Sequence, residues 1–168
     1  VAGALLALLV VHGAWNRASA LLRPPALETV HVAVADGVEA PPSEARATGA
    51  MVAAVQRRVP PGEPIYVLSR RSDLVRFNNP LVYVLTERDN PTTHDFGLDA
   101  GAPAQAHIVA ALERARPRAV VRWTDPISAV PEPNLRGRPS GVHTLDAYVT
   151  RTYRLAERDG FYDVLVPR

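Results

Sequence analysis

Residues 64–80 read PIYVLSRRSDLVRFNNP and combine the signals that decide the fold. The run Ile65–Leu68 is short, apolar and rich in β-formers, which is typical of a buried strand. The polar segment Ser69–Asn79 follows it, and Pro80 then favours a short helix over Pro80–Thr86, because proline is suited to the first helical position. A second run of the same kind, Ala119–Trp123, predicts the next buried strand.

Three longer helices are predicted from apolar positions that recur every three or four residues. They run from Ser43, as a cap, to about Val59, over Gln105–Arg116, and onward from Thr144. Two strand-like runs, Tyr153–Glu157 and Phe161–Val166, flank Arg158-Asp159-Gly160, and this Asp-Gly turn predicts a hairpin. The element order therefore indicates an α/β domain with a small mixed sheet, flanking helices and a C-terminal β-hairpin.

Two segments have less definite signals. Thr92–Phe96 is compatible with a second strand or with an extended loop. The segment Asp125–Gly141 contains four prolines and is interpreted as a surface loop. If the sheet is parallel in part, a ligand site is expected beyond the carboxyl ends of its strands, after Leu68 and after Trp123.

Composition excludes several classes of protein. The chain has 168 residues, of which 47% are hydrophobic, and it has no cysteine. This favours one folded domain and excludes a disulfide scaffold or a cysteine-ligated metal site. All 19 basic residues are arginine; two of them precede the first acid, so from Pro25 onward 17 arginines meet 17 acids. A nucleic-acid binder would show a basic surplus, so no nucleic-acid partner is expected.

The first fifteen residues, VAGALLALLVVHGAW, are almost wholly apolar. They are too short to cross a bilayer alone, and we interpret them as the second half of a transmembrane helix. Trp15 then lies at the interface, with Asn16 and Arg17 leading into water. A signal peptide with the small-residue site Ala18-Ser19-Ala20 and a buried core helix remain the alternatives. The predicted organisation is the end of a membrane helix over 1–22, a linker over 23–42 and a soluble α/β domain over 43–168.

The segment Ser69–Asn79 is the densest group of candidate binding residues. Its three arginines, Arg70, Arg71 and Arg76, can grip a phosphate or carboxylate, and Asp73 and Asn78 can bind sugar hydroxyls. The alternative is a solvated loop in which Asp73 pairs with a neighbouring arginine.

The histidines and the remaining acidic residues do not form a recognisable catalytic or metal-binding motif. His94 and Asp95 are adjacent and would point to opposite faces of a strand, while His107 and His143 lie far away in sequence. The carboxylate pairs Asp95 with Asp99 and Asp159 with Asp163 are interpreted as turn and cap residues. The sequence has no nucleophile elbow and no phosphate-binding glycine loop. No catalytic residue, metal site or cofactor is therefore predicted in this domain.

An ordered series of motifs resembles a known family. The series is PPGEPIYVL, DLVRFNNPLVYVLTER, PTTHDFGLDAG, a helix with Gln105, RPRAVVRW, and a closing stretch with LDAYV and GFYDVL. Together these motifs resemble the C-terminal extracytoplasmic domain of bacterial polytopic glycosyltransferases of the GT-C type. These enzymes are relatives of the dolichyl-phosphate-mannose–protein mannosyltransferases.

The resemblance implies a non-catalytic part of an enzyme that transfers sugar from a polyprenyl-phosphate donor. Catalytic acids, and any metal, would belong to a membrane part that precedes this chain. The expected partners are the lipid bilayer, the enzyme's own N-terminal transmembrane domain and a glycan, lipid or protein acceptor. The expected location is the cell membrane, with this domain outside, although Arg17 and Arg23 would weakly favour a cytoplasmic exit. The candidate ligand or acceptor contacts are Arg70, Asp73, Asn78, Tyr83, Thr92, His94 and Gln105.

Overall fold

A computed structural model describes residues 2–22, 26–74, 78–92, 101–129 and 138–168. Within these ranges the chain is a mixed α/β protein with two sheets and five α-helices, which confirms the α/β part of the predicted fold class. The helices are α1 (Ala2–Leu22), α2 (Pro42–Gln56), α3 (Leu81–Thr86), α4 (Ala102–Ala115) and α5 (Thr144–Thr152). The strands are β1 (Glu28–Thr29), β2 (Glu39–Ala40), β3 (Tyr66–Ser69), β4 (Val120–Trp123), β5 (Tyr153–Asp159) and β6 (Tyr162–Pro167).

The main sheet has the strand order β3-β4-β6-β5. Strands β3 and β4 are parallel, with Val67 opposite Val121. Strand β6 is antiparallel to both β4 and β5, so the hairpin joins the sheet through its second strand. The predicted small mixed sheet and C-terminal hairpin are therefore both present.

The sheet lies between two layers of helices because successive side chains of a strand point to opposite faces. One face, including Val67, Val121 and Val164, packs in a cluster with residues of α2 and α3. The other face, including Leu68 and Val120, packs with residues of α4 and α5. Burial on both faces explains why residues 66–68 of β3 and 120–121 of β4 are continuous apolar runs rather than alternating ones.

The boundaries of α2 and α3 differ from the sequence predictions. Helix α2 begins at Pro42 rather than being capped by Ser43, because proline fits a first turn that needs no backbone donor. It ends at Gln56, before the predicted Val59. Helix α3 begins at Leu81, one residue after the predicted Pro80.

The hairpin loop is also shifted by one residue from the prediction. Asp159 pairs with Tyr162, so the loop residues are Gly160 and Phe161. Gly160 has a φ of 54°, and a Cβ added there would lie 2.7 Å from the Cβ of Ala47 in α2. Glycine is therefore needed both for the turn and for the close approach of the hairpin to α2.

Residues 28–40 lie within the segment that the sequence analysis assigned to a linker. They contain the small antiparallel pair β1–β2 and a turn of 3₁₀-helix over Ala33–Ala35. Val30, Val32 and Ala35 are buried in the same cluster as α2, so this segment contributes to the core.

Helix α1 exposes its large apolar side chains. Its exposed residues include Leu5, Leu6, Leu8, Leu9, Val10, Val11 and Trp15, all 58–71% accessible. Among the described residues, no helix combines the length and the apolar character needed to cross a membrane.

Candidate functional site

The loop after β3 is held together by its own charged residues. Arg71 donates two hydrogen bonds to Asp73, at 2.9 and 2.7 Å. Asp73 is only 1% accessible, whereas Arg71 remains half-exposed. The hydrogen bond to Asp73 raises the pKa of Arg71 above its ordinary value. This bidentate pair corresponds to the alternative in which Asp73 pairs with a neighbouring arginine.

The same loop is tied to the start of α5. Asp146 accepts hydrogen bonds from the backbone N–H and the hydroxyl of Ser72, both at 3.0 Å. The Nε2 atom of His143 lies 3.8 Å from Oδ2 of Asp73. These bonds connect the end of β3 to a helix more than seventy residues away in sequence.

Asp73, His143 and Asp146 can each offer a ligand atom, and these atoms lie within 4.8 Å of one another. Both carboxylates already accept hydrogen bonds, Asp73 from Arg71 and Asp146 from Ser72. A cation there would have to compete with the Arg71 guanidinium for Asp73. The group is therefore explained by its role in joining the loop to α5.

Asn78 and Tyr83 complete the hydrogen bonding along the edge of the main sheet that β3 forms. Strand β3 is an edge strand, so alternate backbone groups have no partner strand. The Val67 N–H donates to the Tyr83 hydroxyl at 2.9 Å, and the Asn78 amide donates to the Val67 carbonyl at 2.7 Å. The two side chains thus act in place of a neighbouring strand.

Gln105 links α4 to α5. Its amide nitrogen donates to the Val142 carbonyl at 2.9 Å, and its amide oxygen accepts from the Leu145 N–H at 3.0 Å. The second bond satisfies a donor in the first turn of α5, which has no partner within the helix. Gln105 is fully buried, so its amide acts as a cap supplied from another helix.

Arg88 is the last residue of the sequence motif DLVRFNNPLVYVLTER, which includes Asn78 and Tyr83. It is 7% accessible, and its guanidinium donates to the carbonyls of Val59, Thr86 and Glu87. It thereby joins the chain after α2 to the end of α3. Arg88 could not be predicted as a structural residue from the sequence, because nothing in the local pattern distinguishes a buried arginine from an exposed one.

The remaining candidates are placed apart from one another. The Arg70 residue is exposed, and its backbone N–H donates to the Ser128 hydroxyl at 3.2 Å. Thr92 bonds to the Asn90 side chain through its N–H and its hydroxyl. His94, Arg76, Asp95, Asp99 and most of Thr92–Phe96 lie outside the described residues. Ligand binding by the seven predicted contacts stays a prediction, and those described do not converge on one cavity.

A cleft that sequence analysis missed lies beside the end of β4. It has a volume of about 290 Å³. Its wall includes three aromatic residues, and its remaining lining is mostly polar or small. The lining residues are Ser43, Glu44, Ala47, Asn79, Trp123, Asp125, Gly160, Phe161 and Tyr162.

Strand register brings the aromatic residues together. Trp123 and Tyr162 are directly opposite each other on β4 and β6, so their side chains share a face. The Thr124 N–H donates to the Phe161 carbonyl at 2.7 Å and holds the hairpin loop against the end of β4. Phe161 is 49% accessible, whereas Tyr162 is buried.

The polar residues that line the cleft include Asn79, Asp125 and Tyr162. Burial raises the pKa of Tyr162, and hydrogen bonding with Thr48 and with Asn79 opposes that rise. Asp125 accepts a hydrogen bond from the Ile127 N–H at 2.8 Å through one carboxylate oxygen. The cleft therefore offers ring faces beside hydrogen-bonding groups. The signal for it in the sequence is the aromatic residue at the end of one strand and the two that follow the Asp-Gly turn.

No protein-family model matches this chain, and comparison with curated proteins and with solved structures finds no significant match.

Proposed function

We propose that this chain is a non-catalytic extracytoplasmic domain of an integral membrane glycosyltransferase. The enzyme would use a polyprenyl-phosphate sugar donor. Helix α1 would be the end of its last transmembrane helix, and the α/β domain would shape the acceptor side of a membrane-embedded active site. The cell membrane would be its location.

The observation that carries the proposal is the exposed apolar surface of α1. Leu8 and Leu9 are 66% and 68% accessible, and four more leucines and valines are similarly exposed. Leaving each such side chain in water rather than in an apolar environment costs about 1.5–3 kcal/mol. Lipid, or a neighbouring transmembrane helix, would remove this cost. Trp15 and Arg17, which follow the apolar stretch within α1, suit an interface and an exit into water.

The residues that carry the family resemblance support a non-catalytic role. Asp73, Asn78, Tyr83 and Gln105 bond to the protein's own backbone or side chains. Their recurrence in such a family would then reflect the fold they stabilise. Acid–base catalysis, by contrast, needs a group within hydrogen-bonding reach of a substrate.

Flotation with phospholipid vesicles tests the membrane part of the proposal. The chain 1–168 should float with the vesicles, and the double variant Leu8→Arg/Leu9→Arg should not. The matched control is Leu155→Arg, which changes an exposed leucine of β5 and should float like the unmodified chain. Equal flotation of all three proteins would contradict a membrane role for α1.

A transfer assay tests the non-catalytic part. Chain 1–168, incubated with a polyprenyl-phosphate sugar and a mixture of acceptors, should give no product above background. Turnover by this chain alone would contradict the proposal, because the catalytic acids would then have to lie within it.

A membrane-anchored or secreted module that binds glycan or cell-wall fragments is the second candidate. The cleft at the end of β4 favours it, since aromatic faces beside hydrogen-bonding groups suit a sugar. If the protein binds glycan and its gene encodes no set of further transmembrane helices, this candidate is favoured over the first.

A further inference from the structure

We propose that the cleft formed by Trp123, Phe161 and Tyr162 binds a neutral pyranose sugar. The inference deepens the second candidate function, which rests on the same cleft, and it does not depend on the membrane proposal. The predicted contacts of the loop after β3 take no part in it.

The aromatic wall supplies the apolar half of the recognition. A pyranose ring has C–H groups on its faces and hydroxyls around its edge, so it needs a flat apolar surface next to polar groups. Trp123 and Tyr162 lie side by side on paired strands, and Phe161 is half-exposed at the hairpin loop. Aromatic side chains with little conformational freedom are efficient at providing such a surface.

The polar lining supplies the hydrogen bonds. Asn79 offers an amide, Ser43 offers a hydroxyl, and Glu44 and Asp125 offer carboxylate oxygens. One oxygen of Asp125 already accepts from the Ile127 N–H, which leaves the other for a ligand hydroxyl. Sugar hydroxyls can donate to the carboxylates and accept from the amide, so both kinds of group would be used.

Charge excludes anionic ligands. None of the described residues that line the cleft is basic, although all 19 basic residues of this chain are arginine and many of them lie at the surface. Phosphate, sulfate and sugar acids would meet Glu44 and Asp125 with no counter-charge. The ligand is therefore neutral or positively charged.

The buried part of the cleft favours the neutral ligand over the cation. Glu44 is exposed and Asp125 is half-buried, so water screens their charge. Tyr162 is the buried residue of the lining, and its hydroxyl carries no charge at neutral pH. A volume of about 290 Å³ is at the lower end for small-molecule sites, which suits a mono- or disaccharide.

Trp123 gives a direct readout, since Trp15 is the other tryptophan of the chain. The chain 1–168 with Trp15→Phe would be titrated with the methyl α-glycosides of glucose, mannose and galactose, each into the tens of millimolar. At least one should change the Trp123 emission in a saturable way. Isothermal titration calorimetry with the same sugars gives a second readout that does not depend on the indole.

Two variants and a control test the location. Phe161→Ala should weaken binding by about five- to ten-fold, as expected for loss of one aromatic contact. Ser43→Phe should also weaken binding, because Ser43 lines the cleft and a phenyl ring in its place would occupy part of the volume. Leu155→Ala, at another exposed position of the hairpin, should bind like the parent. Thermal melts would confirm that all three fold.

Charge variants separate the neutral ligand from a cation. Glu44→Gln should change the affinity for the sugar by less than about three-fold, since an amide oxygen still accepts a hydrogen bond. Tetramethylammonium chloride, compared with sodium chloride, should show no saturable binding. Tight binding of tetramethylammonium that is lost in Glu44→Gln, with no sugar bound, would overturn the proposal.

The proposal is also overturned if no sugar gives a saturable signal by fluorescence or calorimetry, or if Phe161→Ala and Ser43→Phe both bind like the parent. These outcomes leave the flotation result untouched, so failure of the sugar site and failure of the membrane proposal are distinguishable.

Discussion

The loop after β3 and the cleft at the end of β4 lie at the same end of the sheet, since Ser69 pairs with Trp123. They use their side chains in opposite ways. In the loop, the Asp73 carboxylate accepts two hydrogen bonds from Arg71 and is buried from solvent. In the cleft, Trp123 and Phe161 stand beside an open volume. A segment dense in polar residues can therefore be structural, while a cleft that combines aromatic and polar side chains can be the better place for a ligand.

The largest effect on stability is expected at Gly160, in the hairpin loop that lines the cleft. Gly160→Ala should destabilise the protein by about 3 kcal/mol, because the new Cβ clashes with Ala47 and the residue keeps a positive φ. Urea unfolding measures this. Gly62→Ala is the matched control, since Gly62 also has a positive φ but has open space around it; it should cost about 1 kcal/mol. Equal losses would show that the hairpin does not approach α2 this closely.

The next largest effect should come from the loop. Asp73→Ala removes the buried acceptor of two hydrogen bonds from Arg71 and should lower the free energy of unfolding by about 2 kcal/mol. Arg70→Ala, at the exposed neighbouring position, should change it by less than about 0.5 kcal/mol. If Asp73→Ala abolished sugar binding without lowering the melting temperature, the loop rather than the cleft would be the binding site.

Tyr83→Phe tests whether the sheet edge is completed by a side chain. Removing the hydroxyl leaves the Val67 N–H without its acceptor, which should cost about 1–2 kcal/mol. Hydrogen exchange gives the specific readout, because the Val67 amide should exchange faster in the variant while the amides between β4 and β6 stay protected. Val84→Ala, at an exposed position of the same helix, should leave that amide unchanged.

The smallest effect concerns the far side of the hairpin. Glu157 accepts hydrogen bonds from Arg58 and Arg57, and these hold its pKa below the ordinary value of 4.5. Because the folded-state pKa is the lower one, this contribution is present above pH 4.5 and is lost as the pH falls through the folded-state pKa. These side chains are partly exposed, so the loss in the free energy of unfolding should be below about 1 kcal/mol. Glu157→Gln should flatten the acid limb of the stability profile, and an unchanged limb would contradict the ion pairs.

The elements of the fold could be predicted because their burial leaves a local pattern. Residues 65–68 and 119–121 form apolar runs, since both faces of those strands are covered there. The position of β6 between β4 and β5 could not be predicted, because an Asp-Gly turn specifies a hairpin but not which of its strands joins the sheet.

The contacts of the loop and the cleft divide in the same way, since local contacts could be predicted from the sequence and long-range contacts could not. The pairing of Asp73 with an arginine two residues away is local, and the sequence predicts it as one of two alternatives for the loop. The contacts of Ser72 with Asp146, of Gln105 with Leu145 and of Trp123 with Tyr162 join residues between 39 and 74 positions apart. Such contacts depend on strand order and helix placement, for which one sequence offers no direct signal.

The coding sequence upstream of Val1 tests the central claim most directly. The glycosyltransferase proposal predicts several further hydrophobic spans there, with acidic residues in the first loop between them. A start codon within about twenty residues, followed by a basic stretch, would instead indicate a signal peptide or single anchor. That result would contradict sugar transfer by this protein and leave the binding module as its function.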